Sequence, residues 1–151
     1  MRAQPDHSQT ASGRTVISVD AMGGDLGPAT VVAGIAHSAY KNPDIGFILH
    51  GPKAELEKLV AKRKALKDCV EIRDAADVVS MEDKPSHVMR HGKETSMWSA
   101  LESVRNGEAT VCVSCGNTGA LMMMSVLRLR RLPGIYRPAI AVMWPSGNAQ
   151  G

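Results

Sequence analysis

Two glycine-rich turns, each lying between a short apolar segment and a helix-forming segment, constrain the fold of this chain more than any other feature. The first turn, residues 20–28, follows the mostly apolar residues 15–19, and the second, residues 114–119, follows residues 110–113. Consecutive parallel strands need a crossover connection, so a strand that runs through a short turn into a helix is typical of a parallel sheet. The sequence therefore predicts that both turns lie at the carboxyl ends of parallel strands, on the same edge of one sheet.

The rest of the chain repeats this alternation of strands and helices. Strands are predicted over residues 15–19, 45–50, 70–73, 110–113 and 139–144. Helices are predicted over residues 28–40, from Pro52 onwards, over residues 86–91 and 96–106, and from the second turn to about Arg130. Elements of these lengths favour an α/β fold with a mostly parallel sheet that is covered on both faces.

Length and composition favour one globular domain, and the position of the chain end predicts that this domain is truncated. At 151 residues, of which 44% are hydrophobic, the chain can bury a substantial core. Residues 1–13 are polar and predict a disordered tail, whereas residues 14–151 predict the N-terminal part of an α/β domain. The chain ends a few residues after a predicted buried strand, so we expect that a C-terminal part of the domain is missing.

Charge and cysteine content argue against several classes of protein. A formal net charge of +3 suits an anionic small-molecule ligand. The sequence lacks the basic stripe interleaved with aromatic residues that would indicate nucleic-acid binding. The three cysteines do not suit a disulfide framework, which predicts a reducing, cytoplasmic location. The first residues lack the apolar segment of a secretory signal, and no apolar run is long enough to span a bilayer.

The first turn contains candidate ligand-binding residues. Gly23 and Gly24 allow the backbone to turn sharply and to approach a ligand without a Cβ clash. The following helix presents free N–H groups and the positive end of its dipole to an anion. Asp20 and Asp25 would repel phosphate, so we interpret them as capping residues, proton acceptors or partners of a ligand hydroxyl or thiol. An ordinary capped turn explains the same pattern, and the spacing matches neither Walker A nor G-x-G-x-x-G.

The second turn has the same position between a strand and a helix. Asn117 and Thr118 can cap the helix and can also hydrogen-bond a ligand, while Gly116 and Gly119 leave room for it. Ligands of doubly wound sheets usually bind at the carboxyl ends of the strands. The pattern favours a binding site, although an ordinary capped turn remains an alternative.

A basic segment between the two turns is a third candidate. Arg90 and Lys93 lie close along the chain, and Thr95 or Ser96 can cap the next helix. Together they could form an anion clamp of cations and hydroxyl groups. The spacing alone favours a solvated surface loop.

Two short motifs resemble metal sites without meeting the requirements of one. Cys112 and Cys115 match C-x-x-C, yet their separation places them on opposite sides of the strand, and no second pair supplies further ligands. His87 and His91 lie four residues apart, but Val88 replaces the glutamate of H-E-x-x-H. The sequence therefore predicts no metal site and no cofactor.

Five segments, taken together, resemble the bacterial phosphate acyltransferase family of fatty-acid and phospholipid synthesis. These segments are residues 19–28, 81–85, 90–97, 114–121 and 134–138. They occur in the order and with the spacing of the family. Cys115 stands where the family usually has alanine, and members of the family are much longer than this chain.

The resemblance implies a transferase that forms acyl-phosphate from acyl-acyl-carrier-protein and inorganic phosphate in phospholipid biosynthesis. It implies a Rossmann-like three-layer α/β/α fold and a homodimer. Its partners would be acyl carrier protein and phosphate, and its product would pass to a membrane glycerol-3-phosphate acyltransferase, with peripheral membrane association. Two alternatives stay open: a nucleotide-binding dehydrogenase-like domain, and a non-catalytic truncated module that binds a partner.

For acyl transfer, we expect phosphate or the thioester oxyanion to be bound at residues 116–119, with Asn117 in a catalytic role. Asp20 and Asp25 would position groups or assist proton transfer. The expected substrate-binding residues are Gly23, Gly24, Arg90, Lys93, Ser96, Gly116, Thr118 and Gly119.

Overall fold

The computed structural model describes residues 13–137 and 139–141, and its centre is a sheet of four parallel strands. The strands are β1 (Val16–Asp20), β2 (Gly46–Gly51), β3 (Val70–Asp74) and β4 (Val111–Ser114). They lie in the order β3-β2-β1-β4, and each neighbouring pair is parallel. The predicted parallel sheet is confirmed, and β4 is an outer strand of its described part.

Within these residues, five α-helices connect and cover the strands. They are α1 (Pro28–Lys41), α2 (Lys53–Ala61), α3 (Pro85–His91), α4 (Ser96–Arg105) and α5 (Thr118–Arg128), with short 3-10 helices at Lys64–Leu66 and Gly92–Glu94. In this part of the chain, no helix has the length and apolarity that a membrane span requires.

The predicted elements up to α5 are all present, with ends shifted by one or two residues. Residues 139–141 have no regular secondary structure. The rest of the strand predicted over residues 139–144 lies outside the described residues, as does the predicted tail apart from Gly13.

One face of the sheet packs against α1 and α2 through an apolar core. Val19, Phe47 and Leu49 point to this face and are each at most 5% exposed. They lie in one cluster with Val32 of α1 and Leu56 of α2, and each fully buried side chain of this size contributes roughly 1.5–3 kcal/mol. Because successive strand residues point to opposite faces, the residues between them point towards the other side of the sheet.

The other side of the sheet is covered by α4, with α3 and α5 packed beside it. A second apolar cluster joins these three helices, and it includes Val88, Met97, Trp98, Leu101 and Met124. Arg128 of α5 lies over the Trp98 ring at 4.7 Å from its centroid and forms an ion pair with Glu102 of α4. Helices therefore cover both faces, which confirms the predicted three-layer, Rossmann-like α/β/α arrangement.

Helix α4 meets the sheet through polar and small side chains. Ser18, Asp20 and His50 point towards it from β1 and β2, and each is at most 3% exposed. The helix contributes four residues at helical spacing to this contact, namely Ser96, Ser99, Ala100 and Ser103. We call these seven residues the polar layer.

Hydrogen bonds within the polar layer fix the tautomer of His50. Ser18 Oγ donates to the Ala100 carbonyl oxygen at 2.9 Å, so it accepts from His50 Nε2 at 3.0 Å. Nδ1 is then an acceptor and receives the Ser99 hydroxyl hydrogen at 2.8 Å. Burial, helped by the charge of Arg73, lowers the pKa of His50 from 6.5 to about 4. The imidazole is therefore neutral at pH 7, with its proton on Nε2.

We expect the folded state to lose stability as the pH falls from about 6.5 towards 4. In this range the unfolded chain protonates its histidine while His50 in the folded protein stays neutral, so the unfolded state binds more protons. The loss by pH 4 is on the order of 3 kcal/mol. It is measurable as the free energy of unfolding in urea at a series of pH values. His50→Leu removes this proton uptake and should show a shallower pH dependence, and equal pH dependences for both proteins would contradict the neutral buried histidine.

Candidate functional site

The two glycine-rich turns lie against each other at the carboxyl edge of the sheet, as predicted. Strands β1 and β4 are neighbours, with Asp20 in register with Ser114, so the chain leaves both strands at the same level. A Cβ atom added to Gly23 would lie 2.7 Å from Gly116 N and 2.7 Å from Ser114 Oγ. One added to Gly116 would lie 3.3 Å from Gly23 Cα. The absence of side chains at these two glycines lets the turns touch backbone to backbone.

Asp20 lies beneath this contact and accepts hydrogen bonds from three parts of the chain. Its Oδ1 accepts from Ser96 Oγ at 2.6 Å and from the Met22 backbone N–H at 3.2 Å. Its Oδ2 accepts from Ser114 Oγ at 2.7 Å. The residue is 3% exposed, and a buried carboxylate is tolerated when it accepts several hydrogen bonds of this kind. The structure thus brings together two of the predicted site residues, Asp20 and Ser96.

Ser114 connects Asp20 to the second turn. Its hydroxyl hydrogen points to Asp20, and its oxygen accepts the Gly116 backbone N–H at 3.0 Å. The carboxylate therefore orients Ser114, and Ser114 in turn holds the backbone of Gly116. We call this chain of Ser96, Asp20, Ser114 and Gly116 the aspartate network.

Asn117 caps α5 and also holds the loop that precedes α3. Its Oδ1 accepts from the Ala120 N–H at 3.0 Å, which satisfies an orphan donor of the first helical turn. Its Nδ2 donates to the carbonyl oxygens of Ser80, Met81 and Asp83 at 3.0–3.3 Å. The capping interpretation of Asn117 is confirmed, while contact with a ligand stays a prediction.

The first turn of α5 offers backbone donors to an anion. Thr118 and Gly119 begin the helix, and within the described residues their backbone N–H groups have no hydrogen-bond partner. Thr118 is exposed and Gly119 is half-buried, so both lie at or near the surface. Two unpaired N–H groups at the positive end of an eleven-residue helix favour a bound anion.

The remaining predicted residues lie outside the aspartate network. Gly24 has a φ of +114° and lies above Cys115, consistent with its role in the first turn. Asp25, Arg90 and Lys93 are exposed. Of the hydrogen bonds and ion pairs among the described residues, none involves the side chains of these three residues. Whether these three charges face a ligand stays a prediction.

Several residues of the site could not be identified from the sequence. Ser114 was part of a predicted turn, but its bond to Asp20 depends on the order of strands, which the sequence does not reveal. The groups of the loop that Asn117 binds are backbone carbonyl oxygens, which every residue has, so the sequence does not mark them. His50 lies in a predicted strand, and nothing nearby in the sequence marks Ser18 and Ser99 as its partners.

Within residues 13–137, the cysteines and histidines show no arrangement that favours metal binding. Among the described residues, no group of three His, Cys, Asp or Glu side chains converges on one point. Burial, with a smaller contribution from the charge of Asp20, raises the pKa of Cys112 to about 12. Its thiol is thus protonated at neutral pH and unsuited to act as a nucleophile.

Comparison with known proteins identifies relatives of this chain. The family model described as "Fatty acid synthesis protein" matches residues 15–151. The chain is 76% identical over 144 residues to the phosphate acyltransferase of Ruegeria sp. strain TM1040, which covers 95% of this chain and 38% of that protein.

Two further relatives carry the same name. The phosphate acyltransferase of Ruegeria pomeroyi is 70% identical over 151 residues, covering 100% of this chain and 41% of the relative. That of Paracoccus denitrificans is 71% identical over 136 residues, covering 90% and 37%. The chain therefore spans about two fifths of the length of the curated relatives it matches.

We expect Gly23→Ala to destabilise the protein, because its methyl group would overlap the Gly116 backbone nitrogen and Ser114 Oγ. The loss should be about 1–3 kcal/mol, as for other overpacked sites. Gly34→Ala is the matched control, since Gly34 lies within α1 with no atom within 4 Å of the added Cβ. That control should gain up to about 1 kcal/mol from helix propensity. Thermal unfolding of both variants checks this, and equal midpoints would contradict the contact between the turns.

Proposed function

Because the chain belongs to the fatty acid synthesis protein family, we propose that the full-length protein transfers an acyl group from acyl carrier protein to inorganic phosphate. The observation that carries the proposal is 70–76% identity to relatives named phosphate acyltransferase over at least 90% of this chain. A phosphate oxygen attacks the thioester carbonyl carbon, a C–O bond forms and the C–S bond breaks. The carrier thiol leaves with a proton, and acyl-phosphate remains for phospholipid biosynthesis.

The first turn of α5 is the proposed binding site for the anion. The N–H groups of Thr118 and Gly119, which are unpaired within the described part of the chain, would donate to phosphate or to the oxyanion that forms from the thioester. Donors fixed in a helix need no reorganisation during the reaction, which lowers the barrier to charge development. Gly116 and Gly119 leave this surface without side chains that would keep the ligand away.

Asp20 acts as a positioning residue in this proposal. Its carboxylate already accepts three hydrogen bonds within the protein and is almost fully buried. It would therefore hold Ser96 and Ser114 in place, and through Ser114 it would hold the Gly116 turn. Gly23 and Gly24 contribute shape, because they allow the first turn to lie against the second.

Arg90 and Lys93 would supply positive charge to the anion, and Asp25 would assist proton transfer to the leaving thiol. All three are exposed, as groups that meet a diffusing substrate need to be. Cations bind phosphate by charge and by donating hydrogen bonds. Neither basic side chain has a carboxylate partner among the described residues, so both charges are available to a ligand.

Other features of the full-length protein are proposed on the resemblance alone. They are a homodimer, a cytoplasmic location with peripheral membrane association, and delivery of the product to a membrane glycerol-3-phosphate acyltransferase. The family membership does not favour the alternative of a nucleotide-binding dehydrogenase-like domain. A binding module without activity stays an alternative for the 151-residue chain when it is separated from the rest of the protein.

The function is tested by incubating the full-length protein with acyl-acyl-carrier-protein and inorganic phosphate. Acyl-phosphate is trapped as a hydroxamate, and release of the carrier thiol is followed in parallel. We expect thiol release that requires phosphate, and Arg90→Gln and Lys93→Gln should each raise the KM for phosphate about tenfold while leaving the thermal midpoint unchanged.

Lys58→Gln is the control for charge, because Lys58 lies on α2, across the sheet from α4. Thioester cleavage that does not depend on phosphate would contradict the proposed reaction. Binding of a nicotinamide cofactor in a titration would support the dehydrogenase-like alternative instead.

For Asn117→Ala we expect stability and turnover to fall together. The substitution removes a helix cap, worth about 1 kcal/mol, and leaves up to three carbonyl oxygens without their donor, so the free energy of unfolding should fall by about 2–3 kcal/mol. Asn117→Asp keeps the oxygen that caps the helix but places a second carboxylate oxygen, which cannot donate, against the same carbonyl oxygens. Its free energy of unfolding should therefore fall by a similar amount. Denaturant unfolding and turnover are measured on the same preparations. A hundredfold loss of turnover at full stability would instead assign Asn117 direct contact with the reacting atoms.

A further inference from the structure

Hydrogen bonds of the polar layer help to set the position of α4 over the sheet, alongside apolar packing. The apolar residues Met97, Trp98 and Leu101 of this helix lie in the cluster shared with α3 and α5. Towards the sheet, α4 instead presents its serines, which hydrogen-bond to Asp20 and His50. Directional bonds fix the rotation of a helix and its position along its axis, whereas apolar contacts tolerate sliding and repacking.

His50 is the centre of the contact between α4 and the sheet, because its ring forms hydrogen bonds both to the helix and to the neighbouring strand. Nδ1 accepts from Ser99 at 2.8 Å, and Nε2 donates to Ser18, which itself donates to the Ala100 carbonyl oxygen. Ser103 Oγ lies 3.4 Å from Nε2, one turn further along the helix. The ring thus spans two turns of α4 from a single position in β2.

The same helix begins at the aspartate network. Ser96 is the first residue of α4, and its hydroxyl donates to Asp20 at 2.6 Å. Asp20 and His50 are neighbours in register across β1 and β2, so they hold adjacent parts of the same helix face. Rotation of α4 by one residue, about 100°, would turn both Ser96 and Ser99 away from their partners.

We propose that His50 is a positioning residue for the candidate site, holding α4 so that Ser96 stays on Asp20 and the Gly116 turn keeps its shape. This inference rests on the proposed function for its effect on catalysis. It assigns the neutral imidazole no contact with substrate. It also gives a role to a buried histidine that the acyl-transfer reaction itself does not require.

The test compares His50→Leu with His37→Leu in the full-length protein. His37 is exposed on α1, on the opposite side of the sheet, so it controls for the loss of a histidine. Leucine fills a similar volume, and Ser18 keeps its bond to Ala100, so the thermal midpoint of His50→Leu should stay within about 5 °C of wild type. Its kcat for acyl-phosphate formation should fall at least about tenfold, because small misplacements of a site are costly. Amide hydrogen exchange at residues 114–119 should become faster in His50→Leu and stay unchanged in His37→Leu.

Two further variants keep the test decisive if His50→Leu does not fold. His50→Gln retains a donor near the Nε2 position and should restore part of the lost kcat. Ser99→Ala removes only the donor to Nδ1, favours the helix, and should also accelerate exchange at residues 114–119. Normal exchange and normal kcat in Ser99→Ala, and in His50→Leu where it folds, would overturn the proposal. If the wild-type protein forms no acyl-phosphate, the proposed function fails, and the exchange measurement alone decides the role of His50.

Discussion

The buried carboxylate of Asp20 is the interaction on which the rest of this structure depends. It is nearly inaccessible to solvent, so its charge requires hydrogen-bond donors from the protein. Those donors come from the first turn, from α4 and from β4, which are far apart in sequence; Ser96 lies 76 positions from Asp20. Satisfying one carboxylate therefore places three elements at the same edge of the sheet. Loss of any donor leaves a buried charge less well compensated, which costs more than an ordinary surface hydrogen bond.

The two faces of the sheet are stabilised in different ways: one by apolar packing, and the other, which borders the candidate site, also by hydrogen bonds. Under α1 and α2 the sheet buries Val19, Phe47 and Leu49, a contact that mainly contributes stability. Under α4 it presents hydrogen-bonding groups, with His50 opposite Ser99. Polar contacts of this kind contribute little net stability, yet they specify one arrangement of the helix. The face that needs accurate placement is the one that borders the candidate site.

The sequence was sufficient to predict the elements up to α5 and the shared edge of the two turns, because both follow from local patterns. Apolar segments of four to six residues, each followed by a turn and a helix, leave few alternatives to a parallel sheet. The polar layer could not be predicted, because Ser96, Ser99 and Ser103 have the spacing of a solvent-exposed helix face. Their burial depends on Ser18 and His50 in other strands, and a sequence alone gives no pairing between them. The cap at Asn117 was predictable, whereas its three bonds to the loop at residues 80–83 depend on tertiary structure.

The proposed anion site lies near the buried negative charge of Asp20, and the directions of the backbone N–H groups in the second turn explain how the two are compatible. Asp20 takes the Ser114 hydroxyl hydrogen, so Ser114 Oγ is free to accept the N–H of Gly116. That N–H is therefore directed into the protein, whereas the N–H groups of Thr118 and Gly119 have no hydrogen-bond partner among the described residues. Three donors offset the charge of Asp20, which limits its repulsion of an anion at the surface. Within residues 116–119, one backbone N–H thus points into the protein and two point outwards. This arrangement requires the two turns to lie close together, which the absence of side chains at Gly23 and Gly116 allows.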